Sequence, residues 1–183
     1  MLNYGVADFN NDGDNDVCYL DNMGLNCALG NGSGKFSGFS KWINALNDSN
    51  WHKLEHSSNL SFIDINHDGW TDYCSVDDKG VFCGLNSKNN LFVSDKYWST
   101  IVNVESALRF IDINKNDLVD LCYFGDGGVY CANNNNNGFG TQYQHSNLVF
   151  DIELSDTKIP QPRFLDTNAD GILDICGFKN NAY

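Results

Sequence analysis

The sequence predicts an all-β chain, a β-propeller built from four-stranded antiparallel blades, on three observations. The first is a nine-residue acidic loop that occurs four times, at intervals of 56, 48 and 54 residues. The second is a Cys-x8-Cys pair that follows three of those loops. The third is the absence of any stretch with sustained helical periodicity. A period near 50 residues marks a chain made of supersecondary units that cannot bury both faces alone and must stack.

The loops read Asp8-Phe-Asn-Asn-Asp-Gly-Asp-Asn-Asp16, Asp64-Ile-Asn-His-Asp-Gly-Trp-Thr-Asp72, Asp112-Ile-Asn-Lys-Asn-Asp-Leu-Val-Asp120 and Asp166-Thr-Asn-Ala-Asp-Gly-Ile-Leu-Asp174. Oxygen side chains stand at positions 1, 3, 5 and 9. Ca²⁺ takes about six to eight oxygens, and alternate side chains of a tight loop converge on one point. The expected ligands are Asp8, Asn10, Asp12 and Asp16; Asp64, Asn66, Asp68 and Asp72; Asp112, Asn114, Asn116 and Asp120; and Asp166, Asn168, Asp170 and Asp174. The backbone carbonyls of Asp14, Trp70, Leu118 and Ile172, at position 7, complete up to four Ca²⁺ sites. Gly at position 6 supplies the sharp turn in three copies. The third loop carries Asp117 there and only two carboxylate ligands, so it is expected to bind most weakly. An EF-hand is excluded, because position 12 is Tyr19, Ser75, Tyr123 or Gly177 rather than acidic.

Each loop follows a short apolar run (Tyr4-Gly-Val-Ala, Leu60-Ser-Phe-Ile, Leu108-Arg-Phe-Ile, Arg163-Phe-Leu) and leads into Asp-apolar-Cys. Turn clusters at Asp21–Gly24, Asp77–Gly80 and Gly125–Gly128 then separate Cys18 from Cys27, Cys74 from Cys83 and Cys122 from Cys131. With the turn at its midpoint, each pair falls directly opposite on neighbouring strands, close enough for a cross-strand disulfide. Zinc prefers closer Cys spacing and convergent sulfurs, and these pairs are each complete within one hairpin. A polar stretch with a following Phe (Phe36, Phe92, Phe139) leads to a fourth strand. The blades are placed at 1–57, 58–106, 107–160 and an incomplete 161–183.

The unit apolar-apolar-Asp-x-Asn-x-Asp-Gly-x-x-Asp-apolar resembles the FG-GAP or VCBS-type repeat, the blade of integrin α-subunit propellers. That resemblance implies Ca²⁺ in the loop joining the first two strands of each blade. It also implies roles ranging from adhesion receptor to secreted lectin to a non-catalytic propeller attached to an enzyme, without choosing among them.

The formal charge is −13, and 13 of the 24 acidic residues lie in the loops. Four Ca²⁺ would move the balance to −5, so the acidity is a metal-site signature. No basic stripe exists to meet nucleic acid, and no apolar run is long enough to insert in a membrane. Disulfides place the chain in an oxidising, extracellular setting, as do the sequons at Asn31, Asn47 and Asn59. The stretch Lys41–His56 reads as an elaborated connection, and His52, Glu55 and His56 within it do not form a zinc motif. Of Trp42, Trp51, Trp70 and Trp98, most are expected to pack between blades, whereas Trp70 at loop position 7 is expected to face solvent. The run Asn133–Asn137 reads as a plain polar loop.

No nucleophilic triad or Gly-x-Ser-x-Gly elbow is present, so no enzyme is expected. The expectation is a recognition module for a glycan, with an extracellular protein ligand, a structural assembly role or an accessory propeller of a larger secreted enzyme as alternatives. Cys176 opens a fourth Cys-x8-Cys pair whose partner would fall at position 185, beyond the last residue. The chain is therefore expected to be the remainder of a longer propeller or to complete a ring as a homo-oligomer.

Overall fold

The computed structural model describes residues 3–21, 24–42, 60–77, 79–89, 92–100, 108–125, 127–149 and 162–177. Every regular element among them is a strand, and no helix there is long and apolar enough to cross a membrane. Trp51, His52, Glu55, His56 and the sequons at Asn47 and Asn59 lie outside the described residues.

The strands form three four-stranded up-and-down sheets and one two-stranded sheet. The first sheet holds β1 (Asn3–Ala7), β2 (Asp16–Asp21), β3 (Gly24–Ala28) and β4 (Ser40–Lys41). The second holds β5 (Ser61–Ile63), β6 (Asp72–Asp77), β7 (Gly80–Asn86) and β8 (Phe92–Ser99). The third holds β9 (Leu108–Ile111), β10 (Asp120–Gly125), β11 (Gly128–Ala132) and β12 (Tyr143–Ser146), and the fourth β13 (Arg163–Leu165) and β14 (Asp174–Cys176). All pairing is antiparallel between sequence neighbours, which is the blade of a β-propeller.

The register repeats from sheet to sheet. Gly5 faces Cys18, Ser61 faces Cys74, Arg109 faces Cys122 and Arg163 faces Cys176. Across the next hairpin Cys18 faces Cys27, Cys74 faces Cys83 and Cys122 faces Cys131. All three pairs are bonded, with Cα atoms 4.1 Å apart, and all six residues are fully buried. That spacing is close to the roughly 4.5 Å of a non-hydrogen-bonded antiparallel pair, where facing side chains come nearest. Cys176 is a free, half-buried thiol.

The chain divides into two compact units, Met1–Val102 with Asn136–Gly138, and Asn103–Asn135 with Phe139–Tyr183. In the first unit the core gathers Phe9, Leu20, Leu25, Trp42, Tyr73 and Phe92 around the Cys18–Cys27 disulfide. Phe9 is wholly buried and meets Phe62, Trp42 and Phe92 edge-on at centroid distances of 4.9, 6.3 and 6.4 Å. As loop position 2, it docks the first acidic loop onto the core. Burying one such side chain contributes about 1.5–3 kcal/mol. Gly5 allows this packing, because a Cβ there would sit 2.0 Å from the Phe62 ring. In the second unit Cys122, Phe124, Val129, Cys131 and Phe164 form a core cluster, with Phe124 and Phe164 stacked at 5.6 Å.

Candidate metal centres

The four acidic loops share one hydrogen-bonding scheme, set by the backbone. The position 1 carboxylate accepts the N–H groups of positions 5 and 6. For Asp8 these come from Asp12 at 3.2 Å and Gly13 at 2.8 Å, and for Asp64 from Asp68 at 3.0 Å and Gly69 at 2.8 Å. Asp112 accepts from Asn116 and Asp117, and Asp166 from Asp170 and Gly171. The amide oxygen at position 3 (Asn10, Asn66, Asn114, Asn168) accepts the position 5 N–H. The position 5 side chain (Asp12, Asp68, Asn116, Asp170) accepts the N–H of Asp14, Trp70, Leu118 or Ile172. These are successive Asx turns, in which each short polar side chain caps the backbone two residues on.

Two left-handed residues bend each loop. Position 6 has positive φ in all copies: 89° at Gly13, 84° at Gly69, 77° at Gly171 and 66° at Asp117. Asp117 therefore adopts the turn that Gly makes elsewhere, as short polar residues can. Position 4 is left-handed as well, at Asn11 (56°), His67 (55°), Lys115 (61°) and Ala169 (61°). Four chemically unrelated residues take this conformation, at about 1–2 kcal/mol each for an ordinary side chain.

Position 9 is the buried end of the loop. Asp16, Asp72 and Asp120 are fully buried. One oxygen of each accepts the position 2 N–H, from Phe9 at 2.9 Å, Ile65 at 3.1 Å or Ile113 at 3.2 Å. The other accepts a backbone N–H fourteen residues downstream, from Gly30 at 2.8 Å, Asn86 at 2.7 Å or Asn134 at 2.7 Å. Those downstream residues are paired in turn with Phe36, Phe92 and Phe139. In the fourth loop Asp174 is half-exposed and accepts the backbone N–H and hydroxyl of Thr167.

Electrostatics follows burial. Desolvation pushes Asp72 up to about 7, against the pull of its two N–H donors and with the added charges of Asp68 and Asp64. Asp16 and Asp120 are raised for the same leading reason. Asp174 is lowered instead, by its bonds to Thr167. Among the described residues the loop carboxylates meet one cationic side chain, Lys88, whose Nζ lies 3.5 Å from Asp68.

Among the described residues no three His, Cys, Asp or Glu side chains stand close enough to hold a metal between them. The donor set is nonetheless all oxygen, and an ionised carboxylate that accepts two N–H bonds still has lone pairs free. Hard oxygen donors with three carboxylates in loops one, two and four fit Ca²⁺ in chemistry.

One sequence expectation is corrected. Trp70 does not face open solvent; it is half-buried, with Lys88 Nζ 5.7 Å from its ring centroid. Asn133–Asn137 is the expected polar loop between strands, and within it Asn134 is buried and its side chain donates to the Val119 carbonyl at 3.0 Å. Position 9 is in addition a structural anchor in three loops, a role for which the downstream partner gave no side-chain signal. Trp42 packs inside the first unit as expected, with its indole N–H unpartnered among the described residues.

Residues 8–75 match the FG-GAP-like repeat. No curated protein sequence matches the chain. Among solved structures, a lectin of Agrocybe aegerita described as specifically recognising non-reducing terminal N-acetylglucosamine is similar, with TM-score 0.67 and 24% identity. The similarity covers 79% of this chain and 38% of the lectin. A chain of the Photorhabdus luminescens Tc holotoxin pore is similar with TM-score 0.59 and 18% identity, over 98% of this chain and 8% of that one. This chain thus spans well under half of either relative. Residues 8–75 are thus similar to an FG-GAP-like repeat, in a chain whose sheets repeat the blade of a β-propeller.

Proposed function

We propose that the chain is a non-catalytic recognition module of an extracellular protein, stabilised by calcium and directed at glycans. The observation that carries the calcium reading is the fourfold recurrence of one oxygen-lined loop whose backbone bonds hold positions 1, 3 and 5 in the same arrangement. Asp8, Asn10, Asp12 and Asp16, with their counterparts in the other loops, would hold the ion. Bound calcium would supply the positive charge that these carboxylates, Asp68 beside Lys88 apart, lack among their described neighbours.

The glycan reading is supported by the fold shared with the Agrocybe aegerita lectin. Exposed aromatic rings at Tyr4, Phe36, Phe39, Tyr97 and Tyr143 suit stacking on sugar faces. Three buried disulfides suit an oxidising compartment. A glycan array probed with calcium and again with chelator tests both halves. Calcium-dependent binding of a defined glycan class is expected, and no binding under either condition overturns the glycan reading.

A second reading, assembly with other chains, is favoured by the likeness to the holotoxin pore over 98% of this chain. Sedimentation velocity in calcium separates the two: assembly predicts a concentration-dependent species larger than 20.4 kDa, and a glycan module does not require one.

A further inference from the structure

The chain contains two arginines, Arg109 and Arg163. Both line one cavity of about 360 Å³ in the second unit, together with Phe110, Ile111 and Phe164. That volume lies at the lower end of small-ligand sites, which run from roughly 300 to 1,000 Å³. Their meeting follows from register. Each arginine occupies the first-strand position opposite the first cysteine, where the other two sheets carry Gly5 and Ser61.

Arg109 is held in place. Its guanidinium donates to the Leu108 carbonyl at 2.8 Å and to the Pro162 carbonyl at 3.4 Å. A guanidinium has five N–H donors, so donors remain for a ligand after those two bonds. Arg163 is exposed. Among the described residues no carboxylate forms an ion pair with either arginine. Burial lowers the pKa of Arg109, and the neighbouring Arg163 charge lowers it further. A protein of formal charge −13 thus brings its two arginines together without a counter-charge among those neighbours. Gathering like charges beside an apolar wall is unfavourable unless an anion joins them. The wall is real: Phe164 is buried, and Phe110 and Ile111 are half-buried.

We propose that this cavity binds an acidic sugar, with Arg109 and Arg163 gripping its carboxylate and Phe110 and Phe164 packing on the ring. Arginine suits this task because its planar fork matches a carboxylate in two parallel hydrogen bonds. The oxyanion half of the assignment stands on the arginines, whereas the sugar half rests on the glycan reading above.

The test uses the intact chain in saturating calcium, labelled with ¹⁵N-arginine, so that two side-chain Nε–Hε cross-peaks report the site. Sodium glucuronate, glucose, sodium acetate and sodium sulfate are titrated separately at constant ionic strength. Both cross-peaks are expected to move saturably with glucuronate, at least tenfold more tightly than with acetate, and to ignore glucose. Arg109→Gln and Arg163→Gln should each weaken glucuronate binding at least tenfold, while Lys35→Gln, far from the cavity in sequence and in the other unit, leaves it unchanged. If a variant does not fold, the wild-type cross-peaks alone decide. No saturable shift with glucuronate or sulfate overturns the site. Acetate or sulfate binding as tightly as glucuronate overturns the acidic-sugar assignment. Array binding of neutral glycans with still arginine cross-peaks overturns this proposal and leaves the glycan reading intact.

Discussion

The side chain of Asn86 donates to the backbone carbonyl of Phe9 at 2.8 Å, although 77 residues separate them. The same amide donates to the Thr71 carbonyl at 3.1 Å, and its oxygen accepts the Lys88 N–H at 2.9 Å. Thr71 in turn donates its hydroxyl to the Asp8 carbonyl at 3.0 Å. The second acidic loop is thereby tied to the first at two points. Asn86→Ala leaves buried carbonyls unsatisfied and should destabilise the first unit by about 1–3 kcal/mol. Urea unfolding followed by tryptophan fluorescence reads this directly, and an unchanged midpoint would show that the tie is idle.

Calcium should raise the melting temperature, because the ion binds the folded loops and not the unfolded chain. At one hundred times the dissociation constant each site contributes about 2.7 kcal/mol. Asn116→Asp gives the third loop a third carboxylate and should tighten its binding, whereas Asp64→Asn should weaken the second. Titration calorimetry measures both, and a preference for magnesium would contradict the oxygen-loop reading.

Proton linkage gives the chelated protein an opposite trend. Asp72 sits at about 7 when folded, against an ordinary 3.8. Between those values the folded state holds a proton that the unfolded state has lost. Metal-free stability should therefore be highest in acid and fall as pH rises through about 7, then level. Calcium requires the ionised form, so its stabilising effect should grow across the same window. Melting curves at several pH values, in chelator and in calcium, should cross; parallel curves would rule the linkage out.

The disulfides should be confined to their own hairpins. Non-reducing peptide mapping is expected to return Cys18–Cys27, Cys74–Cys83 and Cys122–Cys131. Replacing Cys74 and Cys83 together with Ala opens a ten-residue loop and should cost about 2–3 kcal/mol. Since the sulfurs are fully buried, reductant should act slowly on the folded protein and faster after chelation.

Much of this was legible in the residues. Loop spacing set the blade length, and the Cys-x8-Cys spacing set the hairpin register, because both depend on side-chain type at a fixed period. What stayed hidden depends on backbone atoms. The N–H groups of Gly30, Asn86 and Asn134 anchor the position 9 carboxylates, and an N–H group is common to almost every residue. The left-handed turn at Asn11, His67, Lys115 and Ala169 has no shared chemistry to read. The arginine pair did carry a signal. Arg109 and Arg163 each precede a hairpin cysteine by thirteen residues, and aligning the cysteines would have placed them in equivalent positions.

The fourteen-residue carboxylate anchor has a kinetic consequence. Every closure within a sheet, whether sulfur bridge, hairpin or Asp-to-amide bond, spans a short length of chain. Drawing Phe9 to Asn86 over 77 residues costs about 1.5 kcal/mol more in loop entropy than closing fourteen. Each sheet can thus set its own register before it meets its neighbour, and the tie between sheets forms last. Asn86→Ala should consequently speed unfolding while leaving the refolding rate nearly unchanged, as stopped-flow mixing would reveal. A segment that carries all its own closures is also one that can be copied whole, which is how a chain of this kind lengthens without relearning how to fold.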